Sequence, residues 1–204
     1  TDDLYSDRTL DFIREKRPDA IFRFGFGIIK EPVLSAAPKG VISFHHGNLR
    51  KYRGQPVGFW ELYAGEREMS VTVQVLNEKL DAGKIVVEKA IPIRPNDTWD
   101  SLQERAFDDS VGMIHEACLL LEHDGFEPEV VPENELGRLY TVPNMRQWAT
   151  LQSRVFWRKL RAIVEAFALG QLRTAGVSAV AAARLAAPNA DELAIIGTGA
   201  QALP

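Results

Sequence analysis

The sequence predicts an α/β fold, in which a short open sheet is followed by a mainly helical C-terminal segment. Residues 41–44 form an apolar run that stops at two histidines and a glycine, as buried strands do at their ends. Residues 70–76 alternate between apolar and polar side chains, and a second strand pattern follows at 84–93. Residues 98–123 carry apolar side chains at a helical period. Strands and helices therefore succeed one another along the chain, which favours an open α/β sheet.

The N-terminal part begins with a predicted amphipathic helix. Ser6 is expected to cap it and Pro18 to end it. A strand over 20–24 and a glycine-containing turn over 25–29 follow. Proline favours the first turn of a helix, so a short helix is expected over 32–36, just before the strand that ends at the histidines.

The central part is predicted to pair two strands as a hairpin. A helix over 57–64 precedes the alternating strand 70–76, which we expect to be half buried. A turn carrying Asp81 connects it to the strand 84–93. One long helix is expected from Thr98 to about His123.

The remainder of the chain has a different character. Residues 127–143 are polar and contain proline, so they are expected to form a linker or surface loop with one short strand. A helix is expected to end at Gly170, and an alanine-rich helix to follow over 174–187. A last apolar strand then enters a glycine turn. The predicted domains are 1–126, an α/β domain, and 144–204, helices with a truncated βα start.

Composition excludes several classes of protein. The 204 residues carry a net charge of −4, which gives no basis for bulk electrostatic binding of nucleic acid or anionic membranes. A single cysteine, Cys118, excludes an intrachain disulfide and a multi-cysteine zinc site. Neither an apolar run of membrane-spanning length nor a signal peptide is evident, so a cytoplasmic protein without a membrane partner is expected. The oligomeric state stays open.

The histidines at the end of the strand 41–45 are the first candidates for chemistry. His45 is expected at the C-terminal mouth of the strand, where open α/β sheets place ligand sites, and imidazole transfers protons near neutral pH. Adjacent strand residues face opposite ways, so a metal site formed by His45, His46 and Asp81 is not expected. The basic loop 50–53 either binds an anion or carries solvated charge.

Three motifs add a family resemblance over residues 18–93. They are Gly-Val-Ile-Ser-Phe-His at 40–45 with Tyr-Arg-Gly at 52–54, Leu-Asp-Ala-Gly at 80–83, and the separation of 36 residues between the histidine and the aspartate. Together they resemble the 10-formyltetrahydrofolate-dependent formyltransferases. The resemblance implies a Rossmann-like sheet and the following site residues: catalytic His45 and Asp81, folate-binding Gly25, Gly27, Ile28, Ile29 and Gly83, and substrate-binding Arg53 and Gly54. Asn48, which follows the histidines where the sequence departs from the family, is a further substrate-binding candidate.

The chemistry that this resemblance implies suits those residue types. A formyl group moves from 10-formyltetrahydrofolate to a small primary amine through a tetrahedral intermediate. Imidazole can donate to the oxyanion or carry the proton, and a nearby carboxylate can orient the imidazole and raise its proton affinity. Two alternatives stay open: hydrolysis of the formyl-folate at the same site, and a binding or scaffold domain without catalysis.

The sequence departs from the family at two places. The family's strand reads Asn-x-His, with an amide that helps to hold the oxyanion, whereas Ser43 occupies this position and becomes the third catalytic candidate. Asn48 and His46 lie close enough in sequence to compensate, and the basic loop favours an anionic acceptor such as a sugar nucleotide. The family also begins with a further β/α unit, so the N-terminal half of the sheet is expected to be missing.

The tail resembles a second family. Residues 172–202, with Arg-Thr-Ala-Gly-Val-Ser-Ala and Gly-Thr-Gly-Ala-Gln-Ala, are similar to the NAD(P)-binding proteins of the ornithine cyclodeaminase/μ-crystallin family. The resemblance implies that Gly197 and Gly199 face a cofactor pyrophosphate, with Ala202 at the third small position. NAD(P) is expected only if this tail belongs to a longer chain. We therefore expect a fusion fragment, or else an artefact of frame or annotation.

Overall fold

The computed structural model describes residues 4–25 and 27–185, without the side chains of residue 171 and of 174–185. The elements, in chain order, are α1 (Asp7–Lys16), β1 (Ile21–Arg23), β2 (Val41–His45), β3 (Tyr52–Gly54), α2 (Phe59–Ala64), β4 (Glu68–Val75), β5 (Lys84–Pro92), α3 (Trp99–Ser110), α4 (Met113–Glu122), a 3₁₀ turn (Glu133–Glu135), β6 (Arg138–Tyr140) and α5 (Met145–Leu185). The chain divides into two compact units between Gln152 and Ser153. The domain boundaries expected near 126 and 143 both lie inside the first unit.

A four-stranded mixed sheet forms the centre of the first unit, which confirms the α/β class. Its strand order is β1-β2-β4-β5. Strand β1 runs parallel to β2, with Arg23 beside Ser43, and β2 is antiparallel to β4. Strands β4 and β5 pair antiparallel as the expected hairpin. The strand β2 therefore lies inside the sheet, and His45 is the residue at its C-terminal end.

Strand β4 is buried on both faces, so the expectation of a half-buried strand is wrong. Six consecutive residues from Met69 to Gln74 are buried. Helix α4 packs against β4 and β5, and the loop after β2 contacts Ser70 and Thr72 through Asn48 and Gly47. The buried polar side chains of β4 are satisfied. Thr72 Oγ1 donates to the carbonyl oxygen of Gly47 at 3.0 Å, and Gln74 Oε1 accepts from the N–H of Gly83 at 2.8 Å.

A second, two-stranded parallel sheet joins β3 to β6 and places Tyr140 beside Gly54. The segment expected to be a linker or surface loop is packed on the main sheet before it reaches β6. Glu129 exchanges two backbone hydrogen bonds with Ile85, each 2.8 Å long. Val131 is buried in a cluster with Leu49 and Ile85. The segment 127–138 is therefore part of the first unit's packing.

Two helix expectations in the first unit are wrong. Residues 32–36 form turns, in which the N–H of Val33 bonds to the carbonyl of Lys30 across three residues. Pro38 disfavours the helical conformation at the residue before it, so too little chain remains for a helix. The long helix expected over 98–123 is two helices, α3 and α4, separated at Gly112, the residue type that favours a helix end.

The helix starts were predicted more accurately. Ser6 caps α1 by accepting from the N–H of Thr9 at 3.3 Å. Thr98 begins α3 with a reciprocal capping box with Ser101. Each side-chain oxygen there satisfies one of the N–H groups that a helix start leaves without a partner.

Gly170 does not end a helix, because α5 continues through it to Leu185. A glycine inside a helix costs only about 1 kcal/mol relative to alanine, which the surrounding turns can offset. The expected alanine-rich helix is part of α5 as far as Leu185. The expected strand and glycine turn, with Gly197, Gly199 and Ala202, lie outside the described residues. None of the helices that the structure describes has the length and apolar character needed to cross a membrane.

Candidate active site

His45 ends β2 and is 6% exposed. Its Nε2 lies 2.9 Å from the carbonyl oxygen of Tyr52. Tyr52 follows His45 by seven residues, so the loop between them folds back onto the ring. Gly47 makes this return possible. A Cβ atom there would lie 2.7 Å from His45 Nε2 and 2.7 Å from the Tyr52 carbonyl oxygen. The glycine that follows the two histidines is therefore needed for the contact between ring and loop.

Asp81 reaches the same ring from the turn between β4 and β5. Its Oδ1 lies 3.4 Å from His45 Nδ1. Its Oδ2 accepts the N–H of Gly54 at 2.8 Å. Asp81 has a φ of 45°, a left-handed conformation that Asp tolerates better than most residues. The structure thus brings together the two residues that the sequence motifs paired.

Charge and hydrogen bonding set the protonation of this pair. Burial alone would lower the pKa of His45, but the adjacent Asp81 and the Tyr52 carbonyl raise it above its ordinary value. Burial alone would raise the pKa of Asp81, but His45, the Gly54 N–H and Arg53 hold it below its ordinary value. A carbonyl and an ionised carboxylate can only accept hydrogen bonds. Both ring nitrogens of His45 therefore face acceptors, an arrangement that favours the protonated, positively charged form of the ring.

Arg53 supports the Asp81 turn from behind. Its Nε donates to the carbonyl oxygen of Asp81 at 2.8 Å, and its Nη2 donates to that of Leu80 at 2.6 Å. Its Nη1 donates to the carbonyl oxygen of Gly137 at 3.2 Å. The guanidinium therefore joins the hairpin turn to the start of β6, and it does not line the cavity described below.

A cavity of about 550 Å³ opens in front of His45 and Asp81. Its wall combines apolar side chains with a few polar groups, which is typical of small-molecule sites. Of the residues expected to bind folate or substrate, those on this wall are Gly27, Ile28, Ile29 and Gly54. Those expected there that do not line it are Gly25, Ser43, Asn48, Arg53 and Gly83.

Ser43 is 3% exposed and lies beneath the cavity wall. Its Oγ accepts from Arg23 Nη1 at 3.1 Å and donates to the carbonyl oxygen of Phe44 at 3.2 Å. Arg23, in contrast, lines the cavity. Ser43 occupies the position where the family has Asn, but the cavity wall is formed there by its neighbour Arg23 and not by Ser43.

Asn48 and Gly83 serve the local backbone. Asn48 Oδ1 accepts the N–H of Arg50 at 2.8 Å, which closes the loop after the histidines. Gly83 packs so tightly that a Cβ there would lie 2.3 Å from the carbonyl oxygen of Val75. Neither residue lines the cavity.

The cations of the basic loop face protein partners. Arg50 pairs with Glu88 and Glu129, and Lys51 with Glu66. Since Arg53 bonds to backbone carbonyls, the reason for expecting this loop to bind an anionic acceptor is lost.

His46 is a packed neutral side chain. Burial, together with the charge of His45, lowers its pKa to about 4. Its ring lies between those of Phe44 and Phe107, with centroid distances of 5.5 and 4.6 Å. Among the residues that the structure describes, no group of three acidic, histidine or cysteine side chains could hold a metal ion.

Glu61 is a buried carboxyl behind the pair that the sequence motifs did not indicate. It lies on α2 and is 3% exposed, and its Oε1 has no hydrogen-bond partner within the described ranges. Burial raises its pKa to about 7, although its own backbone N–H and the charge of His45 act in the opposite direction. Its charge in turn raises the pKa of His45.

Sequence reasoning also missed Arg23, Gln74 and Tyr140 on the cavity wall. A signal existed for Arg23, because a charge interrupts the apolar strand Ile-Phe-Arg-Phe. Tyr140 could not be found in this way, since it reaches the site only through the distant pairing of β3 with β6.

Comparisons with known proteins identify a family for this chain. The family model described as "Formyl transferase" matches residues 2–118. The methionyl-tRNA formyltransferase of Desulforamulus reducens is 30% identical over 113 residues, which are 55% of this chain and 36% of that protein. The chain therefore spans about a third of the length of the curated relatives that it matches.

Two solved structures share the fold. A variant of HypX from Aquifex aeolicus has a TM-score of 0.57 and 23% identity, covering 71% of this chain and 26% of HypX. The formyltransferase PseJ from Anoxybacillus kamchatkensis, in complex with UDP-4,6-dideoxy-4-formamido-L-AltNAc and tetrahydrofolate, has a TM-score of 0.55 and 20% identity. The match covers 64% of this chain and 68% of PseJ.

A second family model, that of the ornithine cyclodeaminase/mu-crystallin family, matches residues 155–203. Both resemblances identified from the sequence are thus confirmed, and the first covers more than half of the chain. This protein belongs to the formyl transferase family.

Proposed function

We propose that this chain transfers a formyl group from 10-formyltetrahydrofolate to a primary amine at the cavity in front of His45. The observation that carries the proposal is the contact between His45 Nδ1 and Asp81 Oδ1, 3.4 Å apart, on the wall of a cavity of about 550 Å³. Such a volume is within the usual range for small-molecule sites. Family membership makes formyl transfer the reaction to test first.

The cavity wall fits the donor chemically. The segment Gly27–Ile29 and the side chains of Phe44 and Val57 supply apolar and backbone surface for a flat ring system. Lys79 supplies positive charge on the same wall, which suits a carboxylate of a folate tail. The formyl donor is a co-substrate here, and its position in the cavity is part of the proposal.

In the proposed reaction, His45 acts as a fixed cation. The amine nitrogen forms a bond to the formyl carbon, and the formyl oxygen takes up negative charge, which the imidazolium stabilises from the cavity wall. Asp81 keeps His45 protonated, and the Tyr52 carbonyl holds the ring in place. When the intermediate collapses, the bond from the formyl carbon to the folate nitrogen breaks, and that nitrogen gains the proton that the amine loses.

The test is a product assay on the 204-residue chain with radiolabelled 10-formyltetrahydrofolate. Acceptors suggested by the names of similar proteins are methionyl-tRNA, glycinamide ribonucleotide and dTDP-3-aminofucose. The proposal predicts a labelled N-formyl product and an equal amount of tetrahydrofolate with at least one of them. Formate released without any amine would indicate a hydrolase instead. Folate binding with no turnover would indicate a binding domain.

A further inference from the structure

Ser43 cannot take over the role of the family's Asn in this arrangement. It lies beneath the cavity wall, and its hydroxyl carries a single hydrogen, which is donated to the carbonyl oxygen of Phe44 at 3.2 Å. No hydrogen of Ser43 is left to reach a reacting oxygen. The position that should supply a donor beside His45 therefore supplies none of its own.

Arg23 occupies the space above Ser43. It is the parallel partner of Ser43 on β1, and its Nη1 lies 3.1 Å from Ser43 Oγ. Its Nε donates to the carbonyl oxygen of Gly27 at 3.1 Å, in the turn that also lines the cavity. The guanidinium is thus held between the strand of the site and the glycine turn, on the cavity wall.

The spacing along β2 places this charge next to His45. Ser43 and His45 lie on the same face of the strand, about 7 Å apart by the rise of two residues. The ring nitrogens of His45 face the Tyr52 carbonyl and Asp81, so His45 acts on a reacting oxygen by its charge, and the hydrogen bond has to come from another group. Groups above Ser43 and at His45 are therefore spaced to act on one oxygen atom between them.

We propose that Arg23 provides, from the neighbouring strand, the second charge that stabilises the oxyanion, in place of the Asn amide that this chain lacks. The inference rests on the proposed formyl transfer. A guanidinium keeps its positive charge at every pH at which proteins are folded and has several N–H donors. Ser43 is then a positioning residue, because its hydroxyl accepts a hydrogen bond from Arg23. The larger side chain of Asn at residue 43 would crowd the guanidinium.

Gln74 is the competing donor on the cavity wall. It pairs with Ser43 from the other side, on β4, and carries an amide like the missing Asn. Its oxygen, however, holds the N–H of Gly83 at 2.8 Å, which assigns it to the turn that carries Asp81. Substitution of Gln74 therefore discriminates between an amide and a guanidinium as the donor.

The experiment compares the formyl-transfer rates of Arg23→Gln, Arg23→Lys and the double variant Arg23→Gln/Ser43→Asn with those of the unaltered chain. Arg23→Gln should lower kcat about 10²–10³-fold, the usual effect of losing one oxyanion donor, with KM for the donor changed less than about threefold. Arg23→Lys should retain an intermediate kcat. The double variant should have a kcat at least tenfold higher than that of Arg23→Gln, since it restores the amide at residue 43. Unchanged affinity for folinic acid shows that the variants are folded.

The matched control is Arg50→Gln, which makes the same exchange at an arginine that pairs with Glu88 and Glu129 away from the cavity wall and should leave kcat unchanged. The assignment is overturned if Arg23→Gln keeps kcat within twofold, if only KM rises, or if Gln74→Leu rather than Arg23→Gln abolishes turnover. A wild-type chain that transfers no formyl group overturns the proposed function together with this assignment. An active chain in which Arg23→Gln has no effect overturns the assignment alone.

Discussion

Gly54 donates its backbone N–H to Asp81 Oδ2 at 2.8 Å, and this bond fixes the loop after β2 to the turn between β4 and β5. Gly54 can do so because its φ is 95° and because β6 runs directly beside it. The orientation of Asp81 toward His45 therefore depends on a backbone position 27 residues before Asp81 in sequence.

Gly54→Ala should destabilise the fold by at least about 2 kcal/mol. The new Cβ would lie 2.0 Å from the carbonyl oxygen of Tyr140, and alanine is strained at this positive φ. Urea denaturation measures the change. Gly112→Ala is the control, because its φ is −79° and nothing lies within 4 Å of the added atom. Equal midpoints for the two variants would contradict the close approach at residue 54.

Arg53→Lys should lower the pKa of His45, although Arg53 does not touch the ring. A lysine cannot reproduce the three hydrogen bonds that the guanidinium makes to carbonyl oxygens, so the Asp81 turn loosens and the carboxylate supports the imidazolium less. Titration of the His45 ring by NMR measures the effect. Arg50→Lys, which keeps a charge facing Glu88 and Glu129, should leave the His45 pKa unchanged.

Asp81→Asn should destabilise the protein most between about pH 4 and pH 6.5. The pKa of His45 is raised, so its contribution is complete below its unfolded value of 6.5 and is lost as the pH rises through the folded value. The pKa of Asp81 is lowered, so its contribution is complete above its unfolded value of 3.8 and is lost as the pH falls through the folded value. Thermal unfolding of both proteins across this range should show the difference, on the order of 1–3 kcal/mol. A difference that grows steadily above pH 8 would contradict the ion pair.

Glu61→Gln should stabilise the protein above pH 7 and not below pH 4. Burial raises the pKa of Glu61 from 4.5 to about 7, so the folded state holds a proton that the unfolded state releases. Stability is therefore lost as the pH rises from 4.5 through 7, and a neutral glutamine escapes this loss. Melting temperatures at pH 4 and pH 8 measure it. The exposed Glu127→Gln is the control and should change neither value by much.

The local parts of this fold could be read from the sequence, whereas the parts formed by distant contacts could not. The cap at Ser6 and the hairpin around Asp81 depend on neighbouring residues, and both were predicted. The division of the helix at Gly112 was missed because its apolar period continues across the break. Burial of both faces of β4 depends on α4 and on the loop after β2, which alternation within the strand does not reveal.

The candidate site divides in the same way. His45 and Asp81 were paired by motif and spacing, and the structure places them 3.4 Å apart. Ser43 was expected to reach the reacting atoms, but a residue on the neighbouring strand, Arg23, covers it. Arg53 was expected at the substrate, yet its partners are carbonyl oxygens of the Asp81 turn and of Gly137, which lie 28 and 84 residues away in sequence.

The central claim is that the charged His45 ring stabilises the reaction rather than the bound folate. The most direct measurement is single-turnover formyl transfer by the unaltered chain and by His45→Asn, with folinic acid binding measured on both. We expect equal folinic acid affinity within about twofold and a transfer rate that falls about 10²–10³-fold in the variant. Equal transfer rates in the two proteins, or a loss of binding that accounts for the whole loss of rate, would contradict it.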